Sequence, residues 1–168
     1  DYSSVGICGN LETYETSNKP EGSRISASNN MCRIMEVALE SDYEWYLSYL
    51  SNLSIAQAQM TQVINTVDQI YTANFNLKFK INYIGLYNTP TDPYPTTSNP
   101  YTALDNFRNY WNTNKTNVKR DLAHLFTGKS LNDGSFIIYG NSYGVVSPAT
   151  GGVLCNNPNY SYSFTTYI

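Results

Sequence analysis

The chain has 168 residues, a formal net charge of −3 and charged side chains at only 14% of positions, so Asn, Ser, Thr and 16 Tyr carry its solvation. That length is one domain, or most of one, and is enough to bury a core. The acidic balance excludes a protein that binds by neutralising phosphates, and no apolar run approaches the roughly 20 residues of a membrane-spanning helix.

Residues 1–30 are polar and contain a Lys19-Pro20-Glu21-Gly22 turn signal, so they read as a linker or arm without a core of its own. Cys32 to Leu39 is apolar apart from Arg33 and Glu36 and suits a largely buried first strand. Asp42 to Tyr49 is aromatic and reads equally as strand end or loop. Residues 53–71 form the clearest helix. Leu53, Ala56, Met60, Val63, Ile64, Val67, Ile70 and Tyr71 recur at three- and four-residue steps, with Asn52 or Ser54 as the cap.

Residues 77–87 alternate, with Leu77, Phe79, Ile81 and Tyr83 on one side and Lys78, Lys80 and Asn82 on the other, as a half-buried strand does. The Pro-rich stretch 89–100 is a loop. A second helix begins at Pro100 or Tyr101, capped by Ser98 or Asn99, with Leu104, Phe107, Tyr110 and Trp111 inward. Residues 120–127 form a strand ending at Gly128, and Phe136–Tyr139 a short one after the Asn132-Asp133-Gly134 turn. Residues 140–159 read as a long loop and Tyr160–Ile168 as a last strand. The expected fold class is α/β, with a three-layer arrangement around a twisted mixed sheet, an antiparallel edge strand and two main helices.

Three cysteines, Cys8, Cys32 and Cys155, cannot all pair within the chain, and each stands open as buried thiol, disulfide partner or half of a bridge to further sequence. Their spacings match no zinc knuckle. The single histidine, His124, lies mid-strand and reads as a packed strand residue. A Cys8–His124 thiol nucleophile has no orienting third group. Arg120-Asp121 reads as a surface or strand-end ion pair. Three Asn-x-Ser/Thr triplets, at Asn52, Asn114 and Asn159, carry no weight in so Asn-rich a chain.

The segment Arg120-Asp121-Leu122-Ala123-His124-Leu125-Phe126-Thr127-Gly128, with the helix–strand–helix order before it, resembles the strand preceding the active site in reprolysin-like (adamalysin/ADAM-type) metzincin zinc peptidases, the bacterial members above all. The resemblance runs from about Cys32 to Ile168. It implies that residues 31–168 are the amino-terminal part of a catalytic domain. Such enzymes use three His ligands and a Glu base in a His-Glu-x-x-His-x-x-Gly-x-x-His helix. That motif does not occur here, so no catalytic residue and no metal ligand is carried over. Zinc belongs to the complete enzyme, and this chain alone is expected to be inactive.

Two features are carried over. The family binds substrate antiparallel along its sheet edge, which here corresponds to Ser135–Gly140 and assigns Ile137, Ile138, Tyr139 and Gly140 to a peptide or protein substrate. The family's Gly-x-Ala pattern with a close Cys is spread here over Gly144, Ala149, Gly151, Gly152 and Cys155. Cys8-Gly9 resembles a cysteine switch, which would make residues 1–30 the end of a propeptide. Absence of a leader before Asp1 fits a processed, secreted product. Two readings follow: part of a secreted zinc metalloendopeptidase, or a non-enzymatic secreted α/β binding module. A severed domain would expose apolar surface and associate with its carboxy-terminal part or with itself.

Overall fold

The run Arg33–Ser41 forms an interior strand of the sheet, buried over its last six residues. A computed structural model describes residues 10–11, 33–143 and 158–167. Cys8, Cys32 and Cys155, and with them the cysteine-switch and pairing expectations, lie outside the described residues, as does most of the 1–30 arm.

The described elements are β1 (Asn10–Leu11), β2 (Arg33–Ser41), α1 (Tyr43–Ser48), α2 (Leu53–Phe75), β3 (Leu77–Leu86), α3 (Pro100–Asn114), β4 (Leu122–Thr127), β5 (Gly140–Ser142) and β6 (Tyr162–Thr166), with a 3₁₀ turn at Pro158–Tyr160 before β6. The sheet runs β3-β2-β4-β6-β5, with β1 added to β2. β3, β2, β4 and β6 are parallel, while β1 and β5 are antiparallel to their neighbours. Parallel neighbours need crossover helices, and α2 and α3 serve that purpose.

Each face has its own core. Val37, Leu39 and Phe126 meet Ala56, Met60 and Ile64 of α2 together with Trp45 of α1. On the other face Ala38, Ala123, Leu125, Tyr162 and Phe164 meet Leu104, Phe107 and Trp111 of α3. This is the three-layer mixed α/β arrangement with an antiparallel edge strand that the sequence predicts. Burying each large side chain contributes about 1.5–3 kcal/mol.

Caps set the helix starts. Asn52 Oδ1 accepts from Ile55 N at 3.2 Å, and Asn99 Oδ1 accepts from Tyr101 N and Thr102 N with Pro100 opening the helix. Asn76 ends α2 in the left-handed conformation with φ 51°. Of the apolar stripe read on α2, Ala56, Met60 and Ile64 are buried, whereas Leu53, Val63, Ile70 and Tyr71 are exposed.

Several expectations are corrected. Asp42–Tyr49 is neither strand end nor loop. Asp42 caps a six-residue helix by accepting from Trp45 N at 2.8 Å, and Trp45 Nε1 ties it to Ala56 O at 3.3 Å. Tyr83 does not share a face with Phe79 and Ile81. The register against β2 slips between Val37 and Ala38, making Asn82 a bulge, and Tyr83 turns to the α3 side. Phe136–Tyr139 is not a strand: Phe136, Ile137 and Tyr139 are exposed, and Ile137 makes only an isolated bridge to Asn132. The antiparallel edge strand is Gly140–Ser142, inside the stretch read as loop.

Candidate functional site

The nine-residue motif around β4 is fixed at both ends. At its start, Asp121 N donates to Glu36 O at 2.7 Å while Asp121 Oδ2 accepts from Glu36 N at 2.8 Å, extending the β2–β4 ladder by a side chain. Arg120 donates to Val118 O at 3.0 Å and to Tyr162 Oη at 2.5 Å, and its guanidinium lies 4.7 Å above the Trp111 ring. Arg120 and Asp121 therefore hold different neighbours, which corrects the ion-pair reading. A hollow of about 350 Å³ opens beside them, lined by Trp111, Asn112, Arg120 and Asp121. Its guanidinium is already engaged by protein groups.

At the other end of β4 a buried ionic cluster closes the turn. Asp42 accepts from Gly128 N at 3.0 Å, from Lys129 Nζ at 3.0 Å and from the Thr127 hydroxyl, besides capping α1. Lys129 Nζ also reaches Glu44 Oε2 at 2.9 Å. Burial works against the Lys129 ammonium, but the Asp42 and Glu44 carboxylates outweigh it and hold its pKa above the ordinary value. Gly128 passes so close to α1 that a Cβ there would stand 2.2 Å from the Glu44 carbonyl carbon. Two residues before Asp42, Glu40 is fully buried on the α3 face, accepting from the Tyr94 hydroxyl and the Trp111 indole, with Lys115 Nζ 3.8 Å away. Burial raises its pKa despite these donors.

Among the described residues, β5 is the last strand of the sheet at the end opposite β3. Thr166 N donates to Tyr139 O at 2.8 Å and Tyr143 N to Tyr162 O at 3.2 Å, while Asn141 faces Phe164. Residues 139, 141 and 143 thus turn their backbone groups inward, and by alternation Gly140 and Ser142 turn theirs outward. The Ser142 N–H donates to Asn141 Oδ1 at 2.8 Å. The far end of β5 is anchored by Tyr143, whose hydroxyl donates to Asp105 and whose ring lies 5.0 Å from the Arg108 guanidinium.

The residues expected to bind substrate are divided by this geometry. Ile137 and Ile138 belong to a turn that precedes the edge, where Ile138 N donates to Leu131 O and Asp133 Oδ1 accepts from Ser135 N and Phe136 N. Tyr139 contributes a carbonyl to the ladder, and Gly140 is in the strand. Asn141 and Ser142 escaped the sequence reading because a polar Gly-Asn-Ser triplet carries loop chemistry and a three-residue strand has no period to detect.

His124 faces the α2 side of the sheet. Its Nδ1 pairs with Ser163 Oγ at 2.7 Å and its Nε2 with Thr165 Oγ1 at 3.1 Å, so both ring nitrogens are taken. Burial lowers its pKa to about 4, leaving it neutral at pH 7. Among the described residues no group of three or more His, Cys, Asp or Glu is placed to hold a metal ion. A catalytic zinc takes three protein ligands, and His124, with both ring nitrogens paired, is not placed as one of them.

The model of metallo-peptidase family M12, reprolysin type, matches residues 28–167. No curated relative matches the chain. Among solved structures, metalloproteinase-II from Bacteroides fragilis is similar with a TM-score of 0.50 and 14% identity, over 79% of this chain and 37% of that one. A chain in a structure described as a chaperone–substrate complex is similar with a TM-score of 0.56 and 13% identity, over 80% of this chain and 20% of that one. The chain thus spans well under half the length of either.

Proposed function

Because the chain belongs to the M12 metallopeptidase family, we propose that it supplies the substrate-holding sheet of a secreted zinc metalloendopeptidase that hydrolyses peptide bonds. The observation that carries this reading is the β5 edge. An extended peptide laid antiparallel along Gly140–Ser142 finds outward N–H and C=O groups at residues 140 and 142, spaced as a neighbouring strand would require. Each bond formed contributes about 0.5–1.5 kcal/mol net. Their sum fixes the peptide's direction and register, which is the positioning a hydrolytic centre needs.

Zinc would polarise the scissile carbonyl and the attacking water in the complete enzyme. Among the described residues no cluster is placed to ligate it, and the share of the work we assign to this chain is binding and orientation. Exposed apolar residues on α2 and at its end, among them Ile70 and Phe75, favour association with a further part of the protein.

The test compares this chain with the product of the reading frame extended past residue 168, using a quenched fluorescent peptide and a zinc assay. The expected result is no cleavage and no stoichiometric zinc for the chain alone, with chelator-sensitive cleavage for the extended protein. An extended protein that binds peptide without cleaving it would favour the binding-module reading. Zinc-dependent cleavage by this chain alone would overturn the division of labour.

A further inference from the structure

We propose that Asn141 is a positioning residue that guards the β5 edge and sets the register in which a peptide strand docks. This inference rests on the reading of β5 as the substrate rail. An antiparallel strand joining β5 would meet two hydrogen-bonding residues, Gly140 and Ser142, each offering one outward N–H and one outward C=O. They are not equivalent. The Gly140 position carries no side chain and is exposed, so another backbone approaches it without obstruction. The Ser142 N–H is already donated to Asn141 Oδ1 at 2.8 Å.

A peptide bonding only at Gly140 leaves that contact intact. A peptide spanning both residues must displace the Asn141 carboxamide and put its own carbonyl in that place. The exchange is one bond for one bond. Asn141 therefore removes the net gain of the second anchoring point, and a strand that presents no carbonyl opposite Ser142 loses a bond outright. The effect is a penalty on strands docked out of register and on casual pairing between sheet edges, a hazard natural edge strands counter with local side chains. The Asn141 side chain starts from the α3 face, because its Cα partner Phe164 packs there, so its release carries the carboxamide toward the α3 side of the docked strand.

The experiment titrates the ¹⁵N-labelled full chain with an acetylated, amidated six-residue Val/Thr peptide and follows the amide signals. Wild type is compared with Asn141→Ala and Asn141→Asp. The expected result is shifts at Gly140 and Ser142, and binding about five-fold tighter in Asn141→Ala, the worth of one ordinary hydrogen bond no longer contested. Asn141→Asp keeps an acceptor on the Ser142 N–H and should show no such gain. Shifts at the β5 edge with equal or weaker affinity in Asn141→Ala would overturn the guard while leaving the rail. Absence of shifts at Gly140 and Ser142 in all three proteins, or shifts confined to β3, would overturn the rail and the guard together.

Discussion

The two ends of β4 solve the same problem, fixing a parallel strand between neighbours, by different physics. At the start, Arg120 and Asp121 reach outward to carbonyls, an amide, a tyrosine hydroxyl and an indole face, in surroundings that remain partly open to water. At the end, Thr127, Gly128 and Lys129 are drawn onto α1 by a buried carboxylate and by direct backbone approach. The motif's open end therefore tolerates substitution by adjustment, whereas its closed end has no slack. The motif marks a fold, since each of its named polar residues is occupied by structure.

The largest effect is expected from Gly128→Ala at the closed end. The new methyl would meet the Glu44 backbone, which cannot move without unseating α1, so a loss of at least about 3 kcal/mol in urea unfolding is expected. A near-neutral result would mean that α1 is not docked against that turn. Lys129→Met comes next. It leaves Asp42 and Glu44 facing one another without their cation, and a loss of about 3–5 kcal/mol is expected. Combining it with Asp42→Asn should cost less than the sum of the two single changes.

At the open end, Arg120→Lys keeps the charge but gives up the planar stacking on Trp111 and part of the fork to Val118 and Tyr162. A loss of about 1–2 kcal/mol is expected by the same unfolding measurement. A loss as large as that of Lys129→Met would erase the distinction between the ends.

The middle of the strand acts through pH, and its effect is read as a slope. The pKa of His124 is depressed from 6.5 to about 4, so between those values the unfolded chain binds more protons than the folded one. Its contribution to stability is complete above about pH 6.5 and is lost as pH falls toward 4. Glu40 acts with the opposite sign, since its raised pKa makes the folded state the better proton binder as pH falls. Unfolding midpoints of His124→Gln from pH 7 to 4 should show less acid destabilisation than wild type, and those of Glu40→Gln should show more.

Much of this architecture is legible in residue patterns. Period and capping chemistry place α2 and α3 because each has several turns over which a stripe and a cap agree. The parts that escape are short or bent. α1 has only six residues, too few to display a stripe, although Asp42 followed by Glu44 is an N-terminal signature. The bulge at Asn82 inverts the alternation of β3 partway along, which no fixed period predicts. The edge strand is invisible for a related reason: its existence depends on β6 lying beside it, a tertiary fact, and its own residues favour loops. The resemblance located that edge to within a few residues but not its register.

The chain has two tryptophans, and the sheet separates them. Trp45 lies in the core on the α2 face and donates its indole proton to a backbone carbonyl, while Trp111 lies in the core on the α3 face and donates to the Glu40 carboxylate. Each is therefore an optical probe of one layer. Emission from Trp111 should follow the protonation of Glu40, and that from Trp45 should follow the seating of α1. Two single-tryptophan proteins would report whether the layers come apart together or in sequence, without any added label.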